Sequence, residues 1–213
     1  GTGAIFGLLV ARDAYDTAIM APLFVLMSLS LGMSVFWVSI LTMCRWNGYP
    51  ISPEMFAKLR RLSVWFILGL LYLVALHHLT NLYMAHHQGI ERFLLVDGGI
   101  YPWLFWLGFV LCGGIIPVWW FLDRRFSSPV WTLTGALMVI IGGLCHLYVI
   151  IIGAQAYPLR LVSGYRVDSG FYDGEITSYL PTVPEFALGI GGVSLALLMI
   201  MVAVRVLPFL PTA

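Results

Sequence analysis

Apolar runs long enough to cross a bilayer alternate along the chain with short polar connections. A membrane-spanning helix needs about 20 predominantly apolar residues, set by roughly 30 Å of hydrocarbon and the helical rise. Five segments meet that length, at 18–43, 62–84, 101–122, 130–153 and 184–207, and the second extends at its start through the amphipathic stretch 53–61. The pattern predicts an all-α integral membrane protein: a five-transmembrane-helix bundle forming a single domain over residues 1–213, with a long connection at 154–183. The first ten residues, GTGAIFGLLV, are apolar but too short to span and lack the basic flank of a signal peptide, so they read as the end of a preceding segment.

Composition points the same way. Of the 213 residues 61% are hydrophobic and 10% charged, with mean hydropathy +0.94, whereas charged residues make up about a quarter of ordinary soluble domains. Lipid is the solvent for most of this chain. Net charge is +1 and no run of basic residues occurs, so the footprint that phosphate binding requires is missing and nucleic acid is excluded as a partner. Cys44, Cys112 and Cys145 lie in or beside apolar runs without a CxxC pair; they read as buried small residues, and any metal cluster belongs to a partner protein.

Charge, sorted by connection, gives an orientation. One side carries Arg45, Lys58, Arg60, Arg61, Arg124, Arg125 and Arg205; the other carries Arg12, Arg92, Arg160 and Arg166 against Asp13, Asp16, Glu91, Asp97, Asp168, Asp173, Glu175 and Glu185. By the positive-inside rule the first side, with the C-terminus, is expected in the cytoplasm. Trp37, Trp46, Trp65, Tyr101, Trp103, Trp106, Trp119, Trp120 and Trp131 fall near predicted helix ends, where amphipathic rings favour the headgroup level. Gly32, Gly108, Gly113–Gly114, Gly135, Gly142–Gly143 and Gly189–Gly191–Gly192 mark faces where helices can approach closely, and Pro117 is expected to kink the third span.

Polar groups inside spans are costly and usually face a bundle interior or cavity. The second span supplies His77, His78, Thr80 and Asn81, with His86 and His87 at its end. His77, Thr80, Asn81 and Met84 share a face by i, i+3, i+4, i+7 spacing, while His78 points about 100° away. His146, in the fourth span, lies at similar depth below the same surface. Three readings stay open for His77, His78, Asn81 and His146: a quinone pocket in which imidazoles exchange protons with the quinone oxygens, a b-type haem with two axial histidines, or a purely structural hydrogen-bonded network. His86 and His87 are expected to be interfacial and solvated. The connection 154–183, with Tyr157, Tyr165, Phe171, Tyr172 and Tyr179, reads as a structured cap over the helix ends, and Glu185 as a carboxylate favoured by the dipole of the fifth span.

The opening GTGAIFGLL, the stretch APLFVLMSLSLGMSV and the ending SYLPTVPEFALGIGGVSLALLMIMVAVRVLPFLP resemble the NrfD/PsrC-like polysulfide-reductase membrane subunits, nearest their HybB/DsrP branch; Tyr179, Pro181, Thr182, Glu185 and Arg205-Val206-Leu207-Pro208 carry the most specific part. The resemblance spans the chain and covers the second half of that family's eight-to-ten-helix plan. It implies a quinone-interacting anchor that passes electrons between menaquinone or ubiquinone and a ferredoxin-like iron–sulfur subunit on the outer face. Further catalytic or multihaem cytochrome subunits are implied beyond that partner. An electron-transfer anchor holding haem b and a proton-translocating module are the alternative functions; the spans hold no Asp, Glu or Lys near mid-membrane and no clear internal repeat, which counts against a transporter.

Overall fold

The computed structural model describes residues 2–9, 12–48, 52–158, 175–176, 179 and 181–206. In chain order its helices are α1 (Thr2–Gly7), α2 (Met20–Asn47), α3 (Pro53–Tyr83), α4 (Gln88–Arg92), α5 (Ile100–Leu122), α6 (Pro129–Ala156) and α7 (Val183–Val206). Five of these, α2, α3, α5, α6 and α7, are long and apolar enough to cross a membrane. Local chemistry sets their ends. Gly48 takes the left-handed conformation (φ 71°) and returns its N–H to the carbonyl of Cys44, closing α2 about a turn beyond the predicted end. Pro53 opens α3 at a position where a missing N–H costs nothing, with Glu54 in the first turn paired to Lys58 at 2.6 Å.

Residues 1–177 form one compact unit and residues 178–213 another. In the first, α2, α3, α5 and α6 make an up-down-up-down bundle in which each helix packs on the next and α6 returns to α2. Large apolar side chains such as Val25, Phe36, Leu79 and Ile141 face outward, while Ser30, Ser34, Ser63, Thr132 and several glycines face inward. That arrangement follows from the solvent: lipid is as apolar as leucine, so association depends on close backbone approach. At the α5–α6 crossing a methyl group on Gly113 would lie 2.7 Å from the Cα of Gly142, and one on Gly142 would overlap the Gly113 backbone.

Several sequence expectations are corrected. Trp37 is fully buried and donates to the Ser63 hydroxyl at 2.9 Å, so it is a core residue that locks α2 to α3 and no headgroup anchor. Arg60, counted with the positive charges of one side, is 5% exposed; it donates to the hydroxyl of Ser127 and to the carbonyl of Trp120, an acceptor that the end of α5 leaves free. Irregularity in α5 is not confined to Pro117: the winding is widened to the π type over Leu104–Ile115, and Pro117 falls in the first turn of the regular segment that follows.

The second unit holds α7. The Glu185 carboxylate accepts from the backbone N–H of Thr182 at 2.8 Å and from the Tyr179 hydroxyl at 2.6 Å, so this carboxylate reaches back to cap the helix start. Of the expected aromatic cap, Tyr165, Phe171 and Tyr172 lie outside the described residues, as do Arg160, Arg166, Asp168 and Asp173.

Candidate functional site

The last turns of α3 carry His77, His78 and Asn81 inward, at 4%, 7% and 1% exposure. The chain then reverses through residues 84–87 and enters α4, whose single turn drops Glu91 beneath the end of α3 at 1% exposure. Glu91 is the centre of the network. His78 Nδ1 lies 2.6 Å from one of its oxygens and Asn81 donates to the other at 2.7 Å. The Asn81 amide nitrogen also faces His77 Nε2 at 3.4 Å, and its oxygen faces His87 Nδ1 at 3.3 Å. Burial would raise the pKa of Glu91, but the hydrogen bonds from His78 and Asn81 and the nearby imidazoles hold it below the ordinary carboxylate value. The carboxylate is therefore ionised at neutral pH.

That charge assigns tautomers through the partners. His78 carries its proton on Nδ1, donates it to Glu91, and leaves Nε2 as an acceptor. His77 accepts from Asn81 at Nε2, so its proton sits on Nδ1. Both outward atoms, His78 Nε2 and His77 Nδ1, are buried without a partner, and so are both ring nitrogens of His146. Phe105 of α5 links the two groups: its ring lies 4.8 Å from that of His78 and 6.2 Å from that of His146, which stacks on Phe109 at 4.0 Å. The site is thus a column of three imidazoles and two phenyl rings crossing the bundle from α3 to α6. A groove of about 520 Å³ lined by Leu82, Gln88, Glu91, Arg92, Val96 and Trp106 reaches it from the side.

The structure brings together all four residues singled out in the sequence, His77, His78, Asn81 and His146. Three details differ from expectation. His78, about 100° round α3 from His77, is buried all the same, because α3 turns a broad face that includes both into the bundle. Thr80 is exposed and bonded to the carbonyl of Leu76, and Met84 is 48% exposed, so neither joins the polar face. His87 is 2% exposed and belongs to the network; of the pair, His86 alone is at the surface, where it meets Asp13 at 3.0 Å. Glu91, which charge sorting places among the surface acids, is the member that sequence reasoning misses. Its signal is an acid four residues after His87 on a short helix that leads into the apolar run Phe93–Val96, but only the reversal after α3 puts it opposite His78.

Nearby, Tyr15 supports the site's frame. Its hydroxyl donates to the carbonyls of Ile150 (2.9 Å) and Ile151 (3.2 Å), acceptors in the widened turn Val149–Gly153 of α6, and burial pushes its pKa up to about 12.

Residues 1–158 match the polysulphide reductase NrfD family. The chain belongs to that family. Among curated relatives of this NrfD-family chain, the Hdr-like menaquinol oxidoreductase integral membrane subunit of Archaeoglobus fulgidus is 27% identical over 99% of this chain and 54% of its own length. A selenate reductase subunit of Mesobacillus selenatarsenatis is 23% identical over 98% of this chain and 47% of its own. The chain spans about half the length of the curated relatives it matches. No solved structure matches it. Like the NrfD family at large, it is a multi-pass integral membrane protein.

Proposed function

We propose that this chain is a quinone-interacting membrane subunit of a redox complex, exchanging electrons between the quinone pool and an iron–sulfur partner protein. The observation that carries the reading is the set of orphaned buried imidazole nitrogens joined through Phe105 inside the bundle, His77 Nδ1, His78 Nε2 and both of His146. Each unpaired buried polar atom costs about 1–3 kcal/mol, a cost that a ligand with oxygen acceptors and donors offsets. The name of the Archaeoglobus relative, a menaquinol oxidoreductase subunit, supports a quinone as that ligand, menaquinone or ubiquinone.

A bound quinone would supply two-electron, two-proton chemistry; the chain supplies the proton groups. His77 offers a donor to an oxygen, and His78 offers an acceptor nitrogen held in place by Glu91 behind it. Phe105 and Phe109 exclude water and offer flat faces to a ring. The b-haem alternative fits this geometry less well, because the space between the α3 histidines and His146 is filled by those phenyl rings.

The test is electron transfer in the purified complex from a quinol to its physiological acceptor, compared with transfer from an artificial dye. His78→Ala is expected to lower the quinol-driven rate by about 100-fold and leave the dye reaction in place. An unchanged quinol rate, or no effect of a quinone-site inhibitor on the wild type, overturns the reading. A dithionite-reduced spectrum with an α-band lost in His146→Ala would favour haem ligation instead.

A further inference from the structure

The proton-sharing contact between His78 and Glu91 sits inside a donor set that has a second use. One ring nitrogen each of His77 and His78 and one oxygen of Glu91 lie within 4.8 Å of one another, all on buried residues. Two imidazoles and a carboxylate are the donors that zinc, cobalt and non-haem iron accept at sites with open positions. We infer that His77, His78 and Glu91 form a binding site for one divalent transition-metal ion, zinc-like in preference, at the α4 end of the bundle.

Four observations carry this. The set mixes nitrogen and oxygen donors, which suits borderline metals better than magnesium or calcium. The two histidines are nine-tenths buried or more, and Nδ1 of His77 has no partner. Bonds of about 2.0–2.1 Å to a tetrahedral ion set donor separations near 3.3 Å, so donors now up to 4.8 Å apart close by at most about 1.5 Å while the His78–Glu91 pair, at 2.6 Å, opens slightly. Asn81, bonded to the other oxygen of Glu91, already orients the carboxylate as an outer-shell partner does. Ligation by His78 Nδ1 releases its proton to solvent as the metal–nitrogen bond forms, and ligation by His77 Nδ1 moves the His77 proton to Nε2.

Neither the site nor its test depends on the quinone reading. The purified complex containing this chain is stripped with a chelator, equilibrated with zinc, and its bound zinc counted by mass spectrometry across a titration. The wild type is expected to hold one zinc more per chain than His78→Gln or Glu91→Gln, and the variants to bind at least about tenfold more weakly. His86→Gln, at an exposed position outside the cluster, is expected to retain the wild-type count. Because a variant can fail to assemble, X-ray absorption of the zinc-loaded wild type is the second measurement: a first shell with two imidazoles supports the site. A shell without histidine, or equal zinc uptake by wild type and assembled His78→Gln, overturns it. Quinol turnover is not read in either measurement, so a failed quinone assignment leaves the result interpretable.

Discussion

At the scale of single residues, Glu91 decides the character of the site. It is ionised in an interior where a lone carboxylate would be untenable, and His78 and Asn81 make it tenable by occupying both oxygens. Removing one member of such a buried set costs about 3–5 kcal/mol, so Glu91→Gln is expected to lower resistance to thermal or denaturant unfolding by that order at pH 7. The pH dependence follows from the sign of the shift. Its folded pKa is depressed, so the stabilisation is present above the unfolded carboxylate value of about 4.3 and is lost as pH falls through the lower folded value. The stability gap between wild type and Glu91→Gln is expected to hold down to about pH 5 and to shrink below it; a gap independent of pH into the acid range counts against an ionised Glu91. His77, His78, Asn81 and His146 are legible in the sequence because polar groups in apolar runs stand out. Glu91 is hidden because it sits in a connection, where an acid is ordinary.

At the scale of elements, the bundle is held by the closeness of its backbones more than by interlocked large side chains. The α5–α6 crossing is the tightest case, and an added methyl there meets backbone, which cannot swing aside as a side chain can. Gly113→Ala and Gly142→Ala are each expected to destabilise by about 1–3 kcal/mol or more. Gly32 in α2 has open space where a methyl would go, so Gly32→Ala is expected to be neutral or to stabilise by up to about 1 kcal/mol through helix propensity. Comparing the midpoints of detergent-induced unfolding for the three variants checks this, and equal effects would show that packing at Gly113 and Gly142 is not limiting. All these glycines look alike in sequence. Which of them touch a neighbour depends on helix rotation, and an apolar residue in lipid gives no one-sided pattern from which to read it.

At the scale of the whole molecule, the positive-inside rule predicts the α2–α3 and α5–α6 connections in the cytoplasm and the His–Glu site toward the opposite face. With Cys44, Cys112 and Cys145 replaced by Ser, Tyr83→Cys at the site end is expected to react with a membrane-impermeant maleimide on intact cells. Lys58→Cys is expected to react only after permeabilisation, and the reverse pattern overturns the orientation. Sequence alone determined the number and approximate limits of the spans, because lipid imposes a length and an apolar composition that no tertiary contact can waive. It also determined which polar residues lie inside those spans, since their cost does not depend on fold. Tertiary structure decided what only a folded chain can: that Trp37 and Arg60 turn inward, that His87 is enclosed, and that α4 folds back to place Glu91 against His78. Those outcomes depend on the rotation of each helix and the path of a short reversal, which hydropathy does not encode.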